Sequence, residues 1–193
     1  MTESPTPGPA PVSEADLAAM ATQLGRELRG VVEVAHRCPC GAPDVVRTLP
    51  RLPDGTPFPT SFYATCPRLT GAISTLEGEG VMKEMSDRLT SDDALAQAYA
   101  GAHDDYLARR SQLGDVPEID GTSAGGMPTR VKCLHVLVAH SLGVGPGINP
   151  LGDEALEMLP DWWSAGSCCG ATPSEALGSS ESPQSSESDE GDA

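Results

Sequence analysis

The chain has 193 residues, of which 38% are hydrophobic and only 4% aromatic, enough for one mostly aliphatic core. Its net charge of -16, from 28 acidic against 12 basic residues, argues against nonspecific affinity for nucleic acid or an anionic membrane, which needs a basic face. Met1 to Val12 has no basic n-region and no apolar h-region, and no apolar run approaches the roughly 20 residues that span a bilayer. The expectation is a cytoplasmic protein that binds neither nucleic acid nor membrane. In such a compartment its six cysteines bind metal, react or pack more often than they form disulfides.

Both ends read as disordered. Residues 2–12 hold four prolines, and residues 171–193 hold six acidic side chains with no Lys or Arg, compositions that cannot offset the entropy of ordering. A single globular domain is expected over residues 13–170. Ser13 with Asp16 forms a capping-box pattern at the start of a helix whose stripe is Leu17, Met20, Leu24 and Leu28, with Gly30 just past its end. Val31 to Ala35, Asp44 to Leu49 and Thr60 to Thr65 read as strands, punctuated by Gly41, Pro43 and Leu52-Pro53-Asp54-Gly55. A three-stranded antiparallel meander follows, and it places the ends of the first and third strands at the same sheet edge.

The remainder reads as helical. Leu69 to Leu76 and Val81 to Leu89 are two short helices separated by Gly78 and Gly80. A longer helix opens after Ser91, with Leu95, Ala98, Ala102, Tyr106 and Leu113 as its stripe, while His103-Asp104-Asp105 reads as a solvated face. Pro128 then starts a helix over Thr129 to Leu142 that is apolar nearly all round and therefore central. Gly143 to Gly152 is a glycine-rich connection, and Asp153 opens a last helix ending near Trp162 and Trp163. The fold class is α+β, a small antiparallel three-stranded sheet packed with about five to six helices.

Cysteine and histidine carry the chemistry. Cys38-Pro39-Cys40-Gly41 is a tight turn that lets thiolates converge on a cation, and the meander brings Cys66 to the same edge. Cys133, on the expected central helix, is the fourth ligand, with His140, His135 and Cys168 in reserve. Zinc is the expected ion, and an iron–sulfur cluster is the alternative for the same thiolates. The plain alternative is that Cys133 packs as a small hydrophobe. Gly125-Gly126-Met127-Pro128 leads into Arg130 and Lys132, so cations crowd a helix start where a bound phosphate or carboxylate would relieve them. Cys133 and His140 share a face of that helix while His135 points about 160 degrees from Cys133, and a Cys-His nucleophile using His135 or His140 is disfavoured because two residues on one helix do not easily meet at these offsets.

Together with Leu52 to Thr60, Thr65-Cys66-Pro67, Arg130-Val131-Lys132-Cys133-Leu134-His135 and Asn149-Pro150-Leu151-Gly152-Asp153, the cysteine turn and the Gly125 to Pro128 string resemble the actinobacterial family catalogued as domain of unknown function 501. The resemblance covers roughly residues 15–168. It implies no activity, only a gene neighbourhood that often includes a septum-formation initiator and an exopolyphosphatase-like protein. The vicinal Cys168-Cys169 pair departs from the single cysteine expected of the family at that place. Two functions remain open. One is a structural zinc site in an interaction or regulatory module, with a protein partner. The other is a metal-dependent hydrolase or transferase whose phosphorylated substrate is held by Arg130 and Lys132.

Overall fold

The computed structural model describes residues 12–164 and 166–168, so the two ends expected to be disordered lie almost wholly outside the described residues. Ser13 caps α1 (Glu14–Leu24): its hydroxyl accepts the Asp16 amide at 3.1 Å, and Asp16 reaches back to the Ser13 amide. The helix stops earlier than its apolar stripe suggests. Gly25 takes the left-handed conformation at φ 66°, which a side chain would resist, so Leu28 lies beyond the end.

The sheet runs β1 (Val31–Arg37), β2 (Pro43–Thr48) and β3 (Phe62–Ala64) in antiparallel order β1-β2-β3. Valine, phenylalanine and tyrosine suit a pleated surface, and β2 is covered on both faces: the successive residues Val45 and Val46 are both buried, as is Phe62 of β3. Two short helices follow, α2 (Pro67–Gly78) and α3 (Val81–Arg88), with Gly80 at φ 87° between them. The long α4 (Asp93–Ser111) is capped by Asp92, whose carboxylate accepts the Leu95 amide at 2.9 Å. Its buried face is Tyr99, Ala102, Tyr106 and Arg110, a stripe rotated from the expected one; Ala98 is exposed.

The central helix, α5 (Leu134–Val144), begins five residues later than the sequence pattern predicts. Residues 125–132 close on themselves instead. Gly125 and Gly126 take φ of 77° and 96°, the Lys132 amide donates to Gly125 O at 2.7 Å, and the Arg130 amide donates to Gly126 O at 3.2 Å. α5 touches all three strands as well as α2 and α6 (Pro150–Met158). Asn149 rather than Asp153 opens α6, accepting the Gly152 amide at 3.1 Å, and the two tryptophans lie beyond its end. α5 and α6 approach so closely at Gly152 that a Cβ there would stand 2.4 Å from Leu137 O. No described helix is long and apolar enough to cross a membrane.

Candidate functional site

The turn between β1 and β2 is set by its residue types. Pro39 pre-sets the bend, the Gly41 amide donates to Cys38 O at 2.8 Å, and Gly41 at φ 88° lets the Cys38 amide return to Ala42 O at 3.0 Å. Cys38 and Cys40 are thereby brought side by side, with the amide of Cys40 beside the Cys38 sulfur and that of Ala42 beside the Cys40 sulfur. Cys66 sits two residues past β3 as the residue before α2, with the amides of Arg68 and Leu69 beside its sulfur. Cys168 completes the group. Its sulfur is 3.8 Å from Cys40 Sγ, it adjoins the Cys66 thiol, and it accepts a hydrogen bond from Gln23 Nε2 of α1 at 3.3 Å. Arg68 donates to Gly166 O, which fastens the segment that delivers Cys168. Burial pushes the thiols of Cys38 and Cys66 up to about 12. For Cys40 burial acts in the same direction, but the amides of Ala42 and Cys168 and the two neighbouring thiols outweigh it and hold that thiol below its ordinary value. Cys38, Cys40 and Cys66 form no disulfide.

Cys133 groups elsewhere. It is the N-cap of α5, with extended φ and ψ of -157° and 112°, so the helical angle that separated it from His135 does not apply. Glu77, Cys133 and His135 each place one ligand atom within 4.8 Å of the others, close enough to hold a metal ion by distance. Glu77, from the last turn of α2, accepts the Leu134 amide at 2.6 Å and pairs with His135 Nδ1 at 3.2 Å. The carboxylate expected at this helix start is therefore supplied by the chain itself. Arg130 and Lys132, expected in the first helical turn, are exposed residues of the preceding loop, because the hydrogen bonds of Gly125 and Gly126 hold the segment out of the helix.

Both nitrogens of His135 face acceptors, Glu77 at Nδ1 and Thr70 O at Nε2, 3.2 Å away; the Ser74 hydroxyl is more distant at 3.5 Å. Two acceptors call for two protons, the imidazolium form. Its hydrogen bond to Cys133, outweighing burial, and the Glu77 carboxylate raise His135 from 6.5 to about 9. A group whose folded value is raised stabilises fully below its unfolded value near 6.5 and loses that stabilisation as pH rises through about 9. Urea titrations of wild type and His135→Gln at pH 6.5 and pH 9.5 are expected to show the wild type's advantage shrinking with pH; an equal difference at both would contradict the charge assignment.

His140, the first reserve ligand, is fully buried between Phe62 and Tyr106. Asn149 Nδ2 lies 3.3 Å from Nδ1 and Asp105 Oδ2 lies 2.9 Å from Nε2. Asn149 turns its amide nitrogen to the ring because its oxygen holds the Gly152 amide. Nδ1 therefore accepts and Nε2–H donates, a neutral ring, and burial holds its pKa below the ordinary value. Asp105 thus turns inward from the expected solvated face, and His103 bonds Ser123 Oγ at 2.9 Å. His36, at the end of β1, pairs with the buried Asp44 at 2.7 Å.

A second feature had no local sequence signal. Cys133 and His135 open onto a pocket of about 400 Å³ whose other walls include Leu24, Phe62, Tyr63 and Ala64. It joins α1, the sheet and α5, segments far apart in the chain.

A family model described as a protein of unknown function (DUF501) matches residues 34–157, more than half of the chain. No curated protein and no solved structure gives a match.

Proposed function

Because the chain belongs to the DUF501 family of uncharacterised proteins, we propose a function from its own side chains: it is a zinc-binding protein in which Cys38, Cys40, Cys66 and Cys168 hold one structural ion. The observation that carries this is the 3.8 Å between Cys40 Sγ and Cys168 Sγ, with Cys38 beside the first and Cys66 beside the second. Sulfurs bound tetrahedrally to one zinc at ~2.3 Å stand about 3.8 Å apart. The backbone amides beside the sulfurs stabilise thiolates in the same way that they stabilise other anions. An iron–sulfur cluster places its own atoms between the thiolates and spreads them wider, so one ion suits this spacing better.

Four protein ligands leave no position for water or substrate, which makes the role structural. The site ties the β1–β2 turn, the start of α2 and the segment beyond α6 to each other. The alternative, an open metal beside Arg130 and Lys132, loses support because Cys133 groups with Glu77 and His135 and the helix start already holds a carboxylate. Elemental analysis of the purified full chain, with a visible absorption spectrum, tests the reading. One zinc per chain without visible colour is expected. Iron with visible absorption, or no stoichiometric metal, would overturn it.

A further inference from the structure

The zinc site leaves a second constellation unexplained, and its members are arranged for nucleophilic chemistry. Cys133 stands in front of the first turn of α5 as its N-cap, with extended backbone angles outside the helix. One ring nitrogen of His135 lies within 4.8 Å of the Cys133 sulfur and so brings a cation close to it. By distance the group could also take a metal, which would have to displace a proton from His135. Glu77 holds the His135 ring from Nδ1 and is itself fixed by the Leu134 amide, the orienting task of the third member in a nucleophile–base–orienter set.

The pocket decides the substrate class. Its described lining is largely apolar, includes no Lys or Arg, and contains no second cysteine with which Cys133 could exchange a disulfide. Acyl transfer is a thiol reaction that needs no redox partner, and an apolar wall suits an aliphatic acyl chain. We propose that Cys133 is the nucleophile and His135 the proton carrier of an acyl-transfer site, with Glu77 as positioning residue, acting on an activated ester or thioester with an apolar acyl group.

In the first half-reaction the sulfur attacks the carbonyl carbon and a C–S bond forms to the enzyme. The bond to the leaving group then breaks; that group keeps the electron pair and takes the proton that His135 carries from the thiol. In the second, water or another acceptor attacks the enzyme thioester, its proton passes to His135, and the Cys133 sulfur is released with its electron pair. No oxidant or reductant is consumed.

The test uses the full, metal-loaded chain and 4-nitrophenyl octanoate. A burst of one nitrophenolate per chain is expected, with one octanoyl group mapped by peptide mass to Cys133. His135→Gln is expected to slow the burst by roughly 100-fold. Glu77→Gln keeps an acceptor for the Leu134 amide; it is expected to slow the burst about tenfold and to move the high-pH limb of its pH profile to lower pH. Cys133→Ala is expected to abolish the burst while keeping its bound metal, which separates failure here from failure of the zinc reading. Octanoyl on another cysteine, an unchanged burst in Cys133→Ala, or no burst in the wild type would overturn the proposal. Limiting iodoacetamide on the wild type gives a check that needs no variant: Cys133 is expected to be alkylated ahead of the other five cysteines, and uniform labelling would count against it.

Discussion

Cys66→Ser is expected to remove the zinc proposed above and to destabilise the chain by on the order of 4 kcal/mol, a fall in Tm of about 8–16 °C at this size. Zinc supplies about 10 kcal/mol in small finger peptides, where the ion replaces a core. Here a core exists beside it: Phe62, Leu69, Ile73, Leu134 and Leu137 are buried together, so part of the fold stands without the metal. The loss is therefore smaller than in a finger, yet larger than a buried thiol-to-hydroxyl change alone. Cys66 is fully buried at the junction of β3 and α2, and Cys168 arrives from a segment beyond α6. Losing the proposed ion would loosen that segment from the sheet edge, where Gln23 and Arg68 also contact it. Cys168→Ser is expected to behave like Cys66→Ser, whereas Cys133→Ala is expected to retain zinc. Metal analysis and thermal melts of the three variants check this; stoichiometric zinc in Cys66→Ser or Cys168→Ser would mean that those thiols are not ligands.

How much of this was legible depends on the range of the interaction. The meander could be read because its signals are local: β-branched and aromatic residues in short runs, and Pro or Gly where the chain turns. The Cys38-Pro39-Cys40-Gly41 turn is local too, and so is the Ser13 capping box. The start of α5 was misread for a physical reason. Pro128 reads as a first helical position ahead of the apolar run that ends at Leu142, but Gly125 and Gly126 at positive φ give the Arg130 and Lys132 amides other partners. That displacement moved Cys133 off the helix and made its meeting with His135 possible. Asp105 was misjudged because its partner His140 lies 35 residues away, with only the adjacent Tyr106 to hint that this part of α4 faces inward. Cys168 is 128 residues from Cys40, and nothing in its neighbourhood announces the contact.

His140→Ala is expected to cost about 3–5 kcal/mol, in the range of other large-to-small changes at fully buried rings. The ring is fully buried, with centroids 5.1 Å from Phe62 and 5.2 Å from Tyr106, so its removal opens a void between α4, α5 and β3. It also strands polar groups. Asn149 Nδ2 loses its ring acceptor in a buried site, and Asp105 keeps only Arg109 among the side chains it meets here. His140→Gln restores a donor and an acceptor at lower volume and is expected to recover part of the loss. The pH dependence supplies a further check. His140 has a lowered value in the folded state, so its burial as a neutral ring costs stability as pH falls through the unfolded value of 6.5 and the unfolded chain gains a proton first. Between pH 8 and pH 5.5 the wild type is therefore expected to lose more stability than His140→Gln. Urea unfolding of the three proteins at both pH values measures each term, and a wild type that falls no more steeply than His140→Gln would show that the ring is not held neutral between Asp105 and Asn149.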